Sequence, residues 1–151
     1  MGNDASSLVA KAKRWASFYG KYPNGEEGAV LSVPLRLRAA WDAGDADALA
    51  GIFTENGSML VDDTQLQGPD EIREYHRRAF ADRLAGTKRT EEPIEITFLA
   101  KDIAFAVTKG GVIARGGDVI AKDDVVCGSW VIAKRDGEWR LVSHQTSPIK
   151  G

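Results

Sequence analysis

The stretch Val125-Val126-Cys127-Gly128-Ser129-Trp130-Val131-Ile132-Ala133-Lys134-Arg135-Asp136-Gly137-Glu138-Trp139-Arg140-Leu141 decides the fold. Val125 to Lys134 is rich in β-branched and aromatic residues, and a second run extends from Glu138 to Thr146. Between them, Arg135-Asp136-Gly137 carries the Asp-Gly signal of a tight hairpin. The chain is therefore expected to end in two long antiparallel strands. Val125, Cys127 and Val131 form one side-chain row of the first strand, opposite Val126, Trp130 and Ile132. Both rows are apolar, so both faces of the sheet want cover.

Working back toward the N-terminus, Ile103 to Ala114 reads as another strand, and Lys101-Asp102 breaks it from the one before. There Ile94, Ile96 and Phe98 alternate with Glu95 and Thr97, the period-two signature of a half-buried strand. Further upstream the period becomes helical. Pro69 opens a helix, and Asp70 and Glu71 suit the positive end of its dipole. Ile72, Tyr75, His76, Ala79, Phe80 and Arg83 share one face of that helix. Ser58 to Val61 is a short strand closed by Asp62-Asp63. Val30 to Ala43 is expected to be a helix with Pro34 in its first turn and Val33, Leu37 and Trp41 on its apolar stripe. Gly44 suits the left-handed position after the last turn, and Asp45 caps a second helix running through Leu49 and Phe53. Helices first and a strand meander afterwards make an α+β fold, three helices wrapping a strongly curved antiparallel sheet.

Residues 29–151 are expected to form this one domain, and residues 1–28 an N-terminal helical appendage. Leu8, Ala12, Trp15 and Tyr19 fall on one face of the appendage, Pro23-Asn24-Gly25 is its hinge, and Trp15 and Phe18 are expected to dock it.

The chain has 151 residues, enough to bury a core without disulfides or metals. Its net charge of -2, from 20 basic and 22 acidic residues, argues against nucleic acid as a partner. Cys127 is the single cysteine, which suits a reducing compartment, and the expected location is cytoplasmic. No run of about 18 apolar residues and no signal-peptide pattern is present, so no membrane association is expected. The glycine pairs Gly110-Gly111 and Gly116-Gly117 fit no phosphate-binding loop and read as hairpin loops.

Trp41…Gly44-Asp45…Leu49…Phe53, then Gly68…Ile72…His76…Phe80, then Trp130…Asp136-Gly137…Trp139-Arg140…Gln145, follow one another in a telling order. In this order and spacing the chain resembles the nuclear-transport-factor-2-like superfamily, also called the SnoaL-like or ketosteroid-isomerase-like cone fold. Within it the chain looks most like the SgcJ/EcaC branch, found in the biosynthesis of enediyne and polyketide antibiotics. The resemblance spans residues 30 to 148. It implies a cone-shaped domain whose concave sheet face and helices enclose a pocket, and whose opposite sheet face often forms a homodimer. Members include cofactor-independent isomerases, cyclases and hydrolases as well as binders without turnover, so the fold leaves open whether the chain is an enzyme.

The residues themselves name candidates for the pocket. His144 lies in the final strand, and an imidazole can take or give a proton near pH 7. Asp62, at the end of Met59-Leu60-Val61, is the second acid-base candidate, since an apolar wall would raise a carboxyl pKa. The alternatives are a histidine merely bonded to backbone and an aspartate that closes a turn in water. His76, on the inward helix face, has the same two readings. Trp41, Tyr75, His76, Trp130 and Gln145 are the expected ligand contacts, Gln145 on the strength of the resemblance alone. Two histidines and one cysteine without ligand spacing make no metal set, so neither metal nor organic cofactor is expected. The expected partners are a small apolar, polycyclic or polyketide-like ligand and a second copy of the chain through the sheet.

Overall fold

Asp136 and Gly137 both take positive φ, 52° and 81°, between Arg135 and Glu138, which pair directly. This is the two-residue turn that the Asp-Gly signal demands. It joins two strands, Val126–Arg135 and Glu138–Pro148. In this computed structural model, which describes residues 25–149, these are β5 and β6. The expected appendage helix and the docking of Trp15 and Phe18 lie outside the described residues.

Six strands form one curved sheet. The remaining four are β1 (Phe53–Val61), β2 (Thr64–Gln67), β3 (Lys88–Ala100) and β4 (Ile103–Ile113). Their order is β2-β1-β6-β5-β4-β3, so β2 and β3 are edges and the sheet does not close into a barrel. The pairs are antiparallel except β1 with β6, which run parallel. β1 begins at Phe53, well before the expected Ser58, and β2 adds a hairpin across Asp62-Asp63.

Among the described residues three α-helices cover the concave face: α1 (Gly25–Asp42), α2 (Ala46–Ala50) and α3 (Gly68–Phe80). Gly44 has φ 64°, and the Asp45 carboxylate accepts from Ala48 N at 2.9 Å, capping α2. Pro69 sits in the first turn of α3, where Glu71 reaches back to Gln67 N at 2.9 Å. α1 starts at Gly25 and not near Val30, and Pro34 is therefore inside it. Pro34 and its neighbours Val33 and Leu37 are buried against the sheet, and tertiary packing outweighs the lost backbone bond. Leu31, Leu37, Leu49, Ile72, Ile132 and Leu141 are fully buried where helices meet sheet. Each such side chain contributes about 1.5–3 kcal/mol of burial.

Two strand features depart from the sequence reading. Pro93 pairs with Thr108 and Glu95 with Val107, so Ile94 is an extra residue in β3. Ile94 bulges outward, 53% exposed, and does not share the inner face with Ile96 and Phe98. Gly110-Gly111 lies within β4 and is not a loop. A Cβ on Gly110 would stand 1.9 Å from Thr90 O, so only glycine admits this approach of β3 to β4.

Candidate functional site

The helices and the concave sheet face enclose a cavity of about 540 Å³. Trp41 of α1, Tyr75 and His76 of α3, Met59 of β1, Arg89 of β3 and His144 of β6 line it. Strand alternation delivers the sheet residues. Thr108, Trp130 and His144 stand on the inner face of neighbouring strands, with Trp130 directly opposite His144. The Ile94 bulge shifts the alternation of β3, so that Arg89 and Glu91 face inward together with Ile96 and Phe98.

These inward groups form one buried polar chain. Arg89 and Glu91 are 4% and 3% exposed, and Arg89 Nη2 lies 2.6 Å from Glu91 Oε1, with Nε 2.8 Å from the same oxygen. Thr108 Oγ1 donates to Glu91 Oε2 at 2.7 Å, and Trp130 Nε1 donates to Thr108 Oγ1 at 2.8 Å. Both carboxylate oxygens of Glu91 are thus used. Gly128 leaves the room: a Cβ there would meet Thr108 Oγ1 at 2.6 Å. On the helix side Asp42 Oδ1 accepts from Arg89 N at 2.8 Å, and the Arg89 guanidinium lies 5.0 Å from the Trp41 ring centroid.

His144 stacks on Trp130 with ring centroids 3.8 Å apart. Its Nδ1 donates to Ser129 O at 3.2 Å, leaving Nε2 to face Arg89 Nη2 in a long 3.5 Å contact. Burial pushes the His144 pKa well below its ordinary value and the Arg89 charge adds to this, against the opposing Ser129 carbonyl. His76 Nδ1 donates to Ile72 O at 2.8 Å, and its Nε2 is buried with no hydrogen-bond partner in the protein. Burial lowers the His76 pKa too, opposed by the Ile72 carbonyl and assisted by Arg89. Both imidazoles are therefore neutral around pH 7.

The structure brings Trp41, Tyr75, His76 and His144 to one cavity and puts Trp130 behind His144 as its backing. Asp62 reaches the rim only. It is an exposed residue of the two-residue β1–β2 turn, with φ 55°, and the apolar enclosure expected around it is absent. Gln145 is a correction: it follows His144 in the strand, so it faces the opposite side of the sheet and is exposed. Arg83 contacts the Tyr75 hydroxyl at the cavity edge. His76, His144 and Asp62 share the cavity, yet among the described residues no three metal-binding side chains cluster.

Arg89, Glu91 and Thr108 went unnoticed in the sequence. Lys88-Arg89-Thr90-Glu91-Glu92 looks like a solvated strand end, and strict alternation from Ile96 places Arg89 and Glu91 outward. The one available signal was Pro93, which has no N–H for the ladder and marks a bulge.

A family model for the SnoaL-like domain matches residues 30–150. The chain belongs to this family. The SnoaL-like domain shares its fold with solved structures of low identity. One is a domain of unknown function with a cystatin-like fold from Nostoc punctiforme, 22% identical over 83% of this chain and 78% of that one, with a TM-score of 0.76. Another is a nuclear-transport-factor-2-like protein with a cystatin-like fold from Novosphingobium aromaticivorans, 21% identical over 95% and 89%, with a TM-score of 0.69. A third, an uncharacterized protein with a cystatin-like fold from Caulobacter vibrioides, is 20% identical over 82% and 89%, also with a TM-score of 0.69. These likenesses carry the fold alone. Comparison with curated proteins finds no match. No helix among the described residues is long and apolar enough to cross a membrane.

Proposed function

We propose that this SnoaL-like domain binds a small, mostly apolar molecule in the cavity and moves a proton on it without a cofactor. One observation carries the reading: the cavity wall combines aromatic surface and two neutral imidazoles with Arg89, whose charge is paired with the buried Glu91 behind it. A structural core has little use for such a pair, because burying two charges costs several kcal/mol each before their attraction is counted. In a site the same groups have work. A neutral imidazole takes the proton, a contribution of about 10²–10⁴ in rate, and the guanidinium meets the negative charge left behind. The cavity of about 540 Å³ suits a two- or three-ring compound. The resemblance to the SgcJ/EcaC branch supports a polyketide-like or enediyne-related ligand of secondary metabolism.

A second reading is a binding, sequestering or delivery protein without turnover. It is favoured by His144, both of whose ring nitrogens are already engaged. We further propose a homodimer through the outer sheet face, where Phe105, Val107, Cys127 and Val131 are half-buried in the single chain.

Native mass spectrometry after incubation with a panel of hydroxylated polycyclic aromatics tests the proposal. One retained ligand per subunit, chemically altered with time, is expected of an enzyme. Retention without alteration supports the carrier, and no retention of any panel member contradicts both.

A further inference from the structure

His76 is fully buried, lines the cavity and holds an unused acceptor. Its Nδ1 hydrogen goes to Ile72 O one turn back in α3, so the Nε2 lone pair lies on the ring flank directed away from the helix backbone. The rings of Tyr75, Trp41 and Phe80 surround the imidazole, their centroids 5.0, 5.7 and 5.7 Å from its own. None of them supplies a donor. Tyr75 Oη accepts from Arg83 and makes no hydrogen bond to Nε2, and Trp41 Nε1 donates to Thr87 Oγ1 at 3.1 Å. A buried acceptor left unpaired among aromatic rings is costly, and native proteins seldom keep one without a use. His144 differs, since its two nitrogens already face Ser129 O and Arg89.

The setting also defines the partner. A donor bonded to Nε2 must lie among the rings of Trp41, Tyr75 and Phe80, so it is best carried on a flat apolar body. Arg89 shares Trp41 with His76, its guanidinium 5.0 Å from the indole centroid and the imidazole 5.7 Å from an indole ring. An oxygen bonded to His76 through its hydrogen thus sits near a fixed positive charge, which favours an acidic hydroxyl over an alkyl one.

We infer that His76 Nε2 is the specificity-determining acceptor of the site, and that it selects flat apolar molecules carrying a phenolic or enolic hydroxyl. The inference rests on the cavity being a ligand site, as proposed above. It assigns the polar contact to His76 and not to His144.

Two probes of nearly equal shape test it: 2-naphthol, which donates, and 2-methoxynaphthalene, which does not. Their affinities are measured by calorimetry for the wild type and for His76→Phe, which keeps the ring and removes the acceptor. The wild type should prefer 2-naphthol about tenfold, the range of one buried hydrogen bond, and His76→Phe should bind both alike. Equal binding of the two probes by the wild type, or a preference that survives in His76→Phe, overturns the inference and leaves the cavity reading intact. Failure of the wild type to bind either probe overturns the cavity reading and the inference with it. A second readout needs no variant. The nitrogen-15 resonance of His76 Nε2 should move toward the hydrogen-bonded range with 2-naphthol and stay in place with the ether, and the absence of that difference also overturns the inference.

Discussion

Thr108 is the residue on which the buried chain turns. Its hydroxyl accepts from Trp130 Nε1 and donates to Glu91 Oε2, so one oxygen satisfies two buried groups. Thr108→Val keeps the shape and strands both. At about 1–3 kcal/mol for each orphaned group, the expected loss is about 2–6 kcal/mol, read by chemical denaturation. The histidines set a pH dependence. Both have folded-state pKa values below the ordinary 6.5, because burial disfavours the charged ring and Arg89 repels it, while Glu91 is spent on Arg89. Below pH 6.5 the unfolded chain takes up protons that the folded protein refuses. Stability is therefore full above pH 6.5 and falls as the pH drops, by about 1.4 kcal/mol per pH unit for each histidine, until its folded-state pKa is reached. Denaturation at pH 7.5 and pH 5.5 checks this, and His76→Gln should lessen the difference. Of the site residues, Trp41, Tyr75, His76 and His144 were legible because helix period and strand alternation place them without help from neighbours. Arg89 and Glu91 were not, because a bulge five residues from Arg89 reverses the face they take.

At the scale of elements, the turns were legible and the close approaches were not. Asp136-Gly137, Gly44 with Asp45, and Pro69 with Asp70 and Glu71 act through local backbone chemistry that one sequence displays. Pro34 misled, since a proline in a helix interior is tolerated only where packing holds the helix, and packing is not a local property. Gly110 misled for the same reason: its role is set by Thr90, across the β3–β4 ladder. Gly110→Ala should force these strands apart and cost about 1–3 kcal/mol or more, since the clash is with backbone that cannot rotate away. Thermal melting of that variant beside Gly116→Ala separates crowding from backbone freedom. Gly116, unlike Gly110, has positive φ, 83°, and nothing lies within 4 Å of its added Cβ. The Gly116 change should cost less.

The described residues form a half-open cone with helices on one face of the sheet and, among these residues, none on the other. α1 and α3 cover the inner row of the sheet, where Trp130 and Ile132 are fully buried. The outer row keeps Phe105, Val107 and Val131 half-buried, with Ile103 38% exposed beside them. The homodimer proposed above would cover this face. Light scattering should then give roughly twice the 16.3 kDa of one chain, and a monomer at micromolar concentration would contradict the dimer. The cavity is the more consequential feature, because the cone's curvature is what gathers Trp41, His76, Arg89 and His144 from four separate elements. That these four form a ligand site is the central claim. It is tested most directly by titrating the nitrogen-15-labelled protein with 2-naphthol and mapping the resonances that move. Saturable shifts are expected at the Trp41 indole N–H and at the His76, Arg89 and His144 positions, with Phe105 and Val131 unmoved. Shifts confined to the outer face, or none at all, would contradict it.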